Sequence, residues 1–297
     1  MLPSRAMRIE LVTPEGQLSP DLVPVLEEVA PTGISVVPAG EADVDAGRFT
    51  SPGFAYWAFD RLADGRAGRD EPLRIGVAPG EGRYLRSMLA RLQRLRPRTN
   101  AASDAPWFVA LRARHRALYE RPEPLVRADY DHAVDVWQWC LRLQPAASGA
   151  AQAAALLHDV ERLESEAQRR IEHLAPSYVD FKRAHARRGA VLAAALVAEA
   201  GAPADVAAAV AHLVAGHEEA GASPDAALVN EADALSFFAL NSPGYLDYFG
   251  APQGRAKVAY TLARLSPAGR RVLVGLELRA DVATLVAQEL RVEARDG

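Results

Sequence analysis

The spacing of apolar residues changes once along this chain. Over roughly the first ninety residues, short β-branched runs stand between turn residues. From about residue 104 onward, apolar positions recur every three to four residues, the period of a helix buried on one face. In the first part "MRIELV", "TGISVV" and "EPLRIGVAP" read as strands. "SPDLVPVLEEVA" reads as a short helix with a Ser cap and a Pro just inside it. "GRYLRSMLARLQRLR" reads as a basic helix after the third strand. Residues 1–96 are therefore expected to form a small α/β module, and "RPRTNAASDAP" a linker.

Residues 104–297 predict an almost purely helical domain. Helices are expected over "WFVALRARHRALYE", "DYDHAVDVWQWCLRLQ", "GAAQAAALLHDVERL" and the long "YVDFKRAHARRGAVLAAALVAEAG". "ADVAAAVAHLVAGHEEAG", "DAALVNEADALSFFAL", "GRAKVAYTLARL", "PAGRRVLVGL" and "ADVATLVAQEL" continue the series. Several end in Gly or at a Pro-containing turn, which stop helices. There is no clear internal repeat.

Composition narrows the classes. Hydrophobic residues are 49% and charged residues 24% of the chain, as in ordinary globular proteins. A net charge of -4 and the acidic "GEADVDAG" offer no general electrostatic case for nucleic-acid binding, though free nucleotides stay open. The single Cys140 excludes an internal disulfide framework and a Cys-rich zinc cluster, and fits a reducing cytoplasmic setting. "MLPSRAMRIELV" lacks the long apolar run of a secretory signal. The most apolar stretch, residues 189–216, is broken by Glu, Pro and Asp and reads as two buried helices, not a membrane span.

The chemistry concentrates in histidine and aspartate. Of seven His residues, six lie between 132 and 217. His132 lies near the start of one helix, His158 and Asp159 late in the next, His185 on the long helix and His217 at the end of a later one. Asp233 follows in the apolar setting "NEADALSFF", where a lone buried carboxylate is costly unless a metal or cation accompanies it. Imidazole nitrogens and carboxylate oxygens suit borderline or hard divalent metals. Any one of these histidines is more often a packed or surface residue than a ligand, and His115 and His173 read that way. His212, five positions before His217, should not share its helix face. Glu218, Asn230 and Glu231 adjoin proposed ligands and fit either a supporting role or a solvated helix end.

The ordered set His132, His158–Asp159, His185, His217, Asp233 resembles the HD-domain superfamily of metal-dependent phosphohydrolases over roughly residues 125–240. The resemblance implies a helical HD-type bundle and a two-metal centre holding divalent Mn, Fe, Mg or Zn. It implies that His132, His158 and Asp233 bind one ion, that Asp159 bridges, and that His185 and His217 complete the second site. Residues 1–96 resemble no such family.

Hydrolysis of a phosphate ester at such a centre calls for positive side chains to meet the phosphoryl oxygens. Arg162, three residues after Asp159, Lys182, one turn before His185, and Arg127, before His132, are the candidates, although most Lys and Arg residues lie on surfaces. In "LHDVERLESE" Arg162 is expected to reach substrate, and Glu164 and Glu166 to face water. "SFFALNSPGYLDYFG" combines five aromatic residues with a turn signal. Tyr245 or Tyr248 could stack on a base, while core packing or a homodimer contact would use these rings equally well. The expected function is therefore hydrolysis of a small phosphate ester or nucleotide, with no membrane and no nucleic acid involved. One alternative is an HD-like diiron oxygenase, whose members usually carry Gly-Lys where this chain has Glu161 and Arg162. The other is a non-catalytic metal- or nucleotide-binding protein. The GYP motif of the cyclic-dinucleotide branch is absent after the HD pair.

Overall fold

The computed structural model describes residues 9–13, 20, 23, 34–38, 46–47, 55–56, 73–76, 98–121, 123–217, 223–276 and 278–296. Two compact units divide the chain, one of Met1–Pro97, Asn241–Ala256 and Glu277–Gly297, the other of Arg98–Leu240 and Lys257–Leu276. Among the described residues the first unit has five strands: β1 (Ile9–Thr13), β2 (Ile34–Pro38), β3 (Ala46–Gly47), β4 (Ala55–Tyr56) and β5 (Leu73–Gly76). They form one sheet of order β2-β1-β5-β3-β4. β1 runs parallel to both β2 and β5, β3 runs parallel to β5, and only β3 and β4 pair antiparallel. Leu11, at the centre of β1, is fully buried. The helices expected over residues 19–30 and 82–96 lie outside the described residues, apart from Pro20 and Val23.

The helices, among the described residues, are α1 (Pro106–Leu118), α2 (Pro124–Leu143), α3 (Gly149–Leu157), the single turn α4 (Arg162–Ser165), α5 (Tyr178–Glu199), α6 (Ala204–Gly216), α7 (Pro224–Ser236), α8 (Ser242–Phe249), α9 (Ala251–Ala263), α10 (Pro267–Val274) and α11 (Ala280–Asp296). Ser148, Ser177, Ser223 and Ser266 cap α3, α5, α7 and α10, each accepting a backbone N–H three residues on. Gly201, at φ 86°, closes the turn after α5 in a conformation that L side chains rarely adopt. In the helical unit α5 packs on α6, α2 on α3 and α7, and α3 on α6. No helix among the described residues is long and apolar enough to cross a membrane.

Three local expectations change. The segment read as a linker is tied to the bundle from residue 98: the Asn100 side chain donates to the carbonyls of Pro145 and Ala147 and accepts from the Ala102 and Ser103 amides. "GAAQAAALLHDVERL" is not one helix, because α3 ends at Leu157. Beyond it the backbone tightens to i→i+3 bonds, Val160 to Leu157 and Arg162 to Asp159, and this tight turn carries His158, still helical in φ and ψ, and Asp159. "NSPG" is a helix start as well as a turn signal: Pro243, lacking the N–H that an interior position needs, lies in the first turn of α8.

Candidate metal centre

Five secondary-structure ends and faces bring the six singled-out residues together. His132 projects from the first half of α2, and His158 caps the C-terminus of α3 with Asp159 following in the tight turn. His185 lies on α5, His217 caps the C-terminus of α6, and Asp233 lies late on α7. All six are buried, none more than 8% exposed. His132, His158 and Asp159 offer ligand atoms within 4.8 Å of one another, and so do Asp159, His185 and His217. The two groups overlap at Asp159. Asp233 joins the first through Oδ1, 3.0 Å from His132 Nε2 and 3.7 Å from His158 Nε2.

Proton bookkeeping shows that this arrangement suits cations. His158 Nδ1 donates to the Ala155 carbonyl at 2.9 Å and His217 Nδ1 to the Val214 carbonyl at 2.7 Å. His185 Nδ1 donates to Glu161 Oε2 at 2.6 Å. Ser236 Oγ has one hydrogen and gives it to Asp135 Oδ2, so it accepts from His132 Nδ1, 3.0 Å away. Every Nδ1 is therefore a donor, and every neutral ring carries its lone pair on Nε2. For His132 that lone pair faces Asp233 Oδ1 at 3.0 Å, and for His185 it faces Asp159 Oδ1 at 2.9 Å. Each contact needs a proton or a metal ion between the two acceptors.

His158 adds the most telling position. Its buried Nε2 makes no hydrogen bond and stands 3.6 Å from Asp159 Oδ2 and 3.7 Å from Asp233 Oδ1. Those separations are long for hydrogen bonds, but close to the spacing of roughly 3.0–3.4 Å between neighbouring ligands of an ion with bonds of about 2.1 Å. The nitrogen and oxygen donors fit a borderline divalent ion in each group.

The charges around the cluster keep its two carboxylates ionised. Burial opposes the charged form of Asp159, but Arg162, His158, His185 and Lys182 outweigh it and hold the carboxyl well below its usual range. Asp233 is likewise held down against burial, chiefly by Arg264. Burial pushes the His158 imidazole down to about 4. His185 moves the other way: burial lowers it, but hydrogen bonds to Asp159 and Glu161 raise it overall.

The cationic residues have specific partners. Arg162 Nε lies 2.9 Å from Asp159 Oδ2, and its other nitrogens reach Glu166 at 3.2 Å and Glu172 at 3.5 Å. Glu166 is buried rather than solvated, since its Oε1 accepts the backbone amides of Ile171 and Glu172. Glu164 is exposed. Lys182 is buried one turn before His185 and its charge acts on Asp159. The side chain of Arg127 and all of Glu218 lie outside the described residues. His212 and His173 are exposed, and His115 is buried among the rings of Tyr119 and Tyr130. Tyr245 and Tyr248 both pack on Phe249.

Read from the sequence, Glu161, Arg188 and Arg264 have no supporting role, whereas Asn230 and Glu231 fit one. Glu161 orients His185 and is itself held by Arg188 and Ser165. Arg264 grips Asp233 Oδ2 at 2.6 Å and also donates to Asn230, whose amide holds the His217 carbonyl. Glu231 accepts from Ser266 at the start of α10. Glu161 carried the one local signal, a carboxylate two residues after the HD pair. Arg264 lies 31 residues beyond Asp233, with nothing local to link them.

No curated protein and no solved structure matches the chain. The family model described as a domain of unknown function, DUF4202, matches residues 119–286, which is more than half of the chain and includes every residue of the candidate cluster. The chain therefore belongs to the DUF4202 family.

Proposed function

We propose that this protein is an HD-type, metal-dependent phosphohydrolase that acts on a small phosphate ester or nucleotide through a dinuclear centre. The observation that carries the reading is the pair of ligand groups sharing Asp159, with all four imidazoles committed at Nδ1 and the Nε2 atoms of His132, His158 and His185 facing Asp159 or Asp233. In this reading His132, His158 and Asp233 hold one divalent ion, His185 and His217 the other, and Asp159 both. Two bound ions of this kind would supply Lewis acidity to activate water and to neutralise phosphoryl charge.

The chain's own residues supply the rest. Two carboxylates and four neutral imidazoles leave excess positive charge when two divalent ions are bound, which favours an anionic substrate. Arg162 and Lys182 add positive charge beside Asp159, where phosphoryl oxygens need donors as charge shifts. Arg264 steadies Asp233, and Glu161 fixes the ring plane of His185.

The test is hydrolysis of p-nitrophenyl phosphate by the full chain with Mn(II), beside Asp159→Ala and with metal content measured on both. Turnover that the variant loses together with its metal supports the reading. Equal rates in the two proteins would sink it, and oxygen uptake by the iron-loaded protein without phosphate release would replace it with the oxygenase chemistry.

A further inference from the structure

Two helical stripes converge beside the metal cluster. On α5, Tyr178, Lys182 and His185 are spaced i, i+4, i+7 and share one face. On α9 and the residue just past its end, Lys257, Tyr260 and Arg264 are spaced i, i+3, i+7. The stripes meet: the Tyr178 and Tyr260 rings cross edge to face at 5.7 Å, and Lys257 Nζ donates to the Tyr178 hydroxyl at 3.2 Å. At one end stand His185 and Arg264, the latter on Asp233. At the other end the Lys257 ammonium lies among three rings, 5.4 Å from the centroid of Tyr260, 5.8 Å from Phe237 and 6.0 Å from Tyr178. Seven residues of helix put the two ends about 10 Å apart along the axis.

Glu172 occupies the same surroundings. Its side chain is buried, and burial raises its pKa, yet the carboxyl is held down to about 2, with Lys257 the strongest of the opposing charges, followed by Arg162 and Lys182. One carboxylate thus lies amid cations that also border the metal cluster. Lys257, Tyr178 and Tyr260 are themselves only partly buried, so a solute can approach them.

We propose that Lys257, held by Tyr178 and Tyr260, is a specificity-determining anchor for a second anionic group of the substrate. The substrate class is then an organic phosphate bearing two separated anionic groups, one at the metal end and one at Lys257. The inference rests on the phosphohydrolase reading of the same site. Glu172 competes with that second group for the ammonium, so its carboxylate weakens substrate binding while the site waits empty of substrate.

The experiment is calorimetric titration of the Mn(II)-loaded full chain with two probes whose C–P bonds resist hydrolysis, butylphosphonate and butane-1,4-bisphosphonate. The bisphosphonate should bind about tenfold tighter or more, the effect of one charge-assisted contact. Lys257→Met, which keeps the stem, should bring the ratio close to one, and Lys257→Arg should keep it. Tyr178→Phe, which removes the hydroxyl acceptor alone, should reduce the ratio by about threefold and serves if the Lys257 variants do not fold. Glu172→Gln should raise bisphosphonate affinity, whereas loss of a merely structural ion pair would lower it. A wild-type ratio near one, a ratio that survives Lys257→Met, or weaker bisphosphonate binding in Glu172→Gln would overturn the proposal. Hydrolysis of p-nitrophenyl phosphate is scored separately: its absence removes the hydrolase reading, while the affinity ratio still decides the role of Lys257.

Discussion

The two halves of the candidate metal-binding cluster are built from the same residue types but backed differently. In the His132 half, Nδ1 of the ring is separated from the Asp135 carboxylate by the Ser236 hydroxyl, and Asp233 is neutralised by Arg264, whose side chain is 11% exposed. In the His185 half the ring touches Glu161 directly, and Glu161 is held by Arg188, whose side chain is 51% exposed. A carboxylate in direct contact makes an imidazole a stronger base and a better ligand than one acting through a hydroxyl. The difference teaches that like residue types do not imply equal affinity. The His185 site is expected to hold its ion more tightly at high pH and to lose it first as protons compete, because its ring already favours the protonated form.

The largest effect should come from the residue common to both halves. Asp159→Ala is expected to empty both positions and to lower kcat/KM by about 10³-fold or more. Asp233→Asn should cost only the ion of the His132 half, so metal counted by plasma mass spectrometry separates the two variants. If Asp159→Ala retains a full complement, the halves do not share that residue. Next in size is Glu161→Gln, expected to weaken the ion of the His185 half by about 10–100-fold and to leave the other unchanged. Competition against a chelating dye, resolved into two binding steps, measures it. Ser236→Ala should act on the opposite half alone and less strongly, by about tenfold, because it breaks a relay and not a direct carboxylate contact.

How far these features could be read from the sequence follows from their range. The helical period marked the elements that carry the cluster, and "LHDVERLESE" already joined two ligand types to an arginine and three carboxylates. The same stretch shows the limit. Glu164 and Glu166 are alike in local pattern, yet Glu166 is buried because the chain doubles back and offers it the amides of Ile171 and Glu172. The partners of each Nδ1 were hidden for the same reason. Ser236 lies 104 residues from His132, and only the packing of α2 on α7 brings them together. The carbonyls of Ala155 and Val214 depend on where α3 and α6 stop, the kind of boundary that periodicity leaves undefined. In the first unit the paired segments Ala46–Gly47 and Ala55–Tyr56 are too short to leave a repeating pattern.

Without metal, the halves should respond to pH in opposite directions. The folded pKa of His158 is lowered from 6.5 to about 4, so the unfolded chain takes up a proton first and stability falls as the pH drops from 6.5 towards 4. The folded pKa of His185 is raised above 6.5, so its contribution is complete below 6.5 and fades as the pH rises through the folded value. Urea midpoints measured in chelator should therefore lose their acid-side slope in His158→Asn and their alkaline-side slope in His185→Asn. A shared slope lost in both variants would mean that the two rings titrate as one unit and that the contrast between the halves is false.

The smallest effect sharpens the comparison most finely. Arg188 donates to Glu161 Oε1 at 2.7 Å from a half-exposed position, while Oε2 of the same carboxylate faces His185. Removing it with Arg188→Ala leaves Glu161 charged and still accepting from Ser165, so His185 keeps its partner. What is lost is a solvent-screened contact that limits the carboxylate's rotation, and a screened pair is worth about 1 kcal/mol or less. The ion of the His185 half should therefore weaken by about fivefold at most, and less at high salt, where the pair is screened already. Arg264→Ala makes the contrast: it removes the clamp on Asp233 Oδ2, a contact between side chains only 11% and 12% exposed, so the change in the His132 half should be larger and nearly independent of salt. Metal affinities of the two variants at low and high salt decide it. Equal losses with equal salt dependence would show that exposure of the supporting arginine does not distinguish the halves, and the difference would then lie in the imidazole contacts alone.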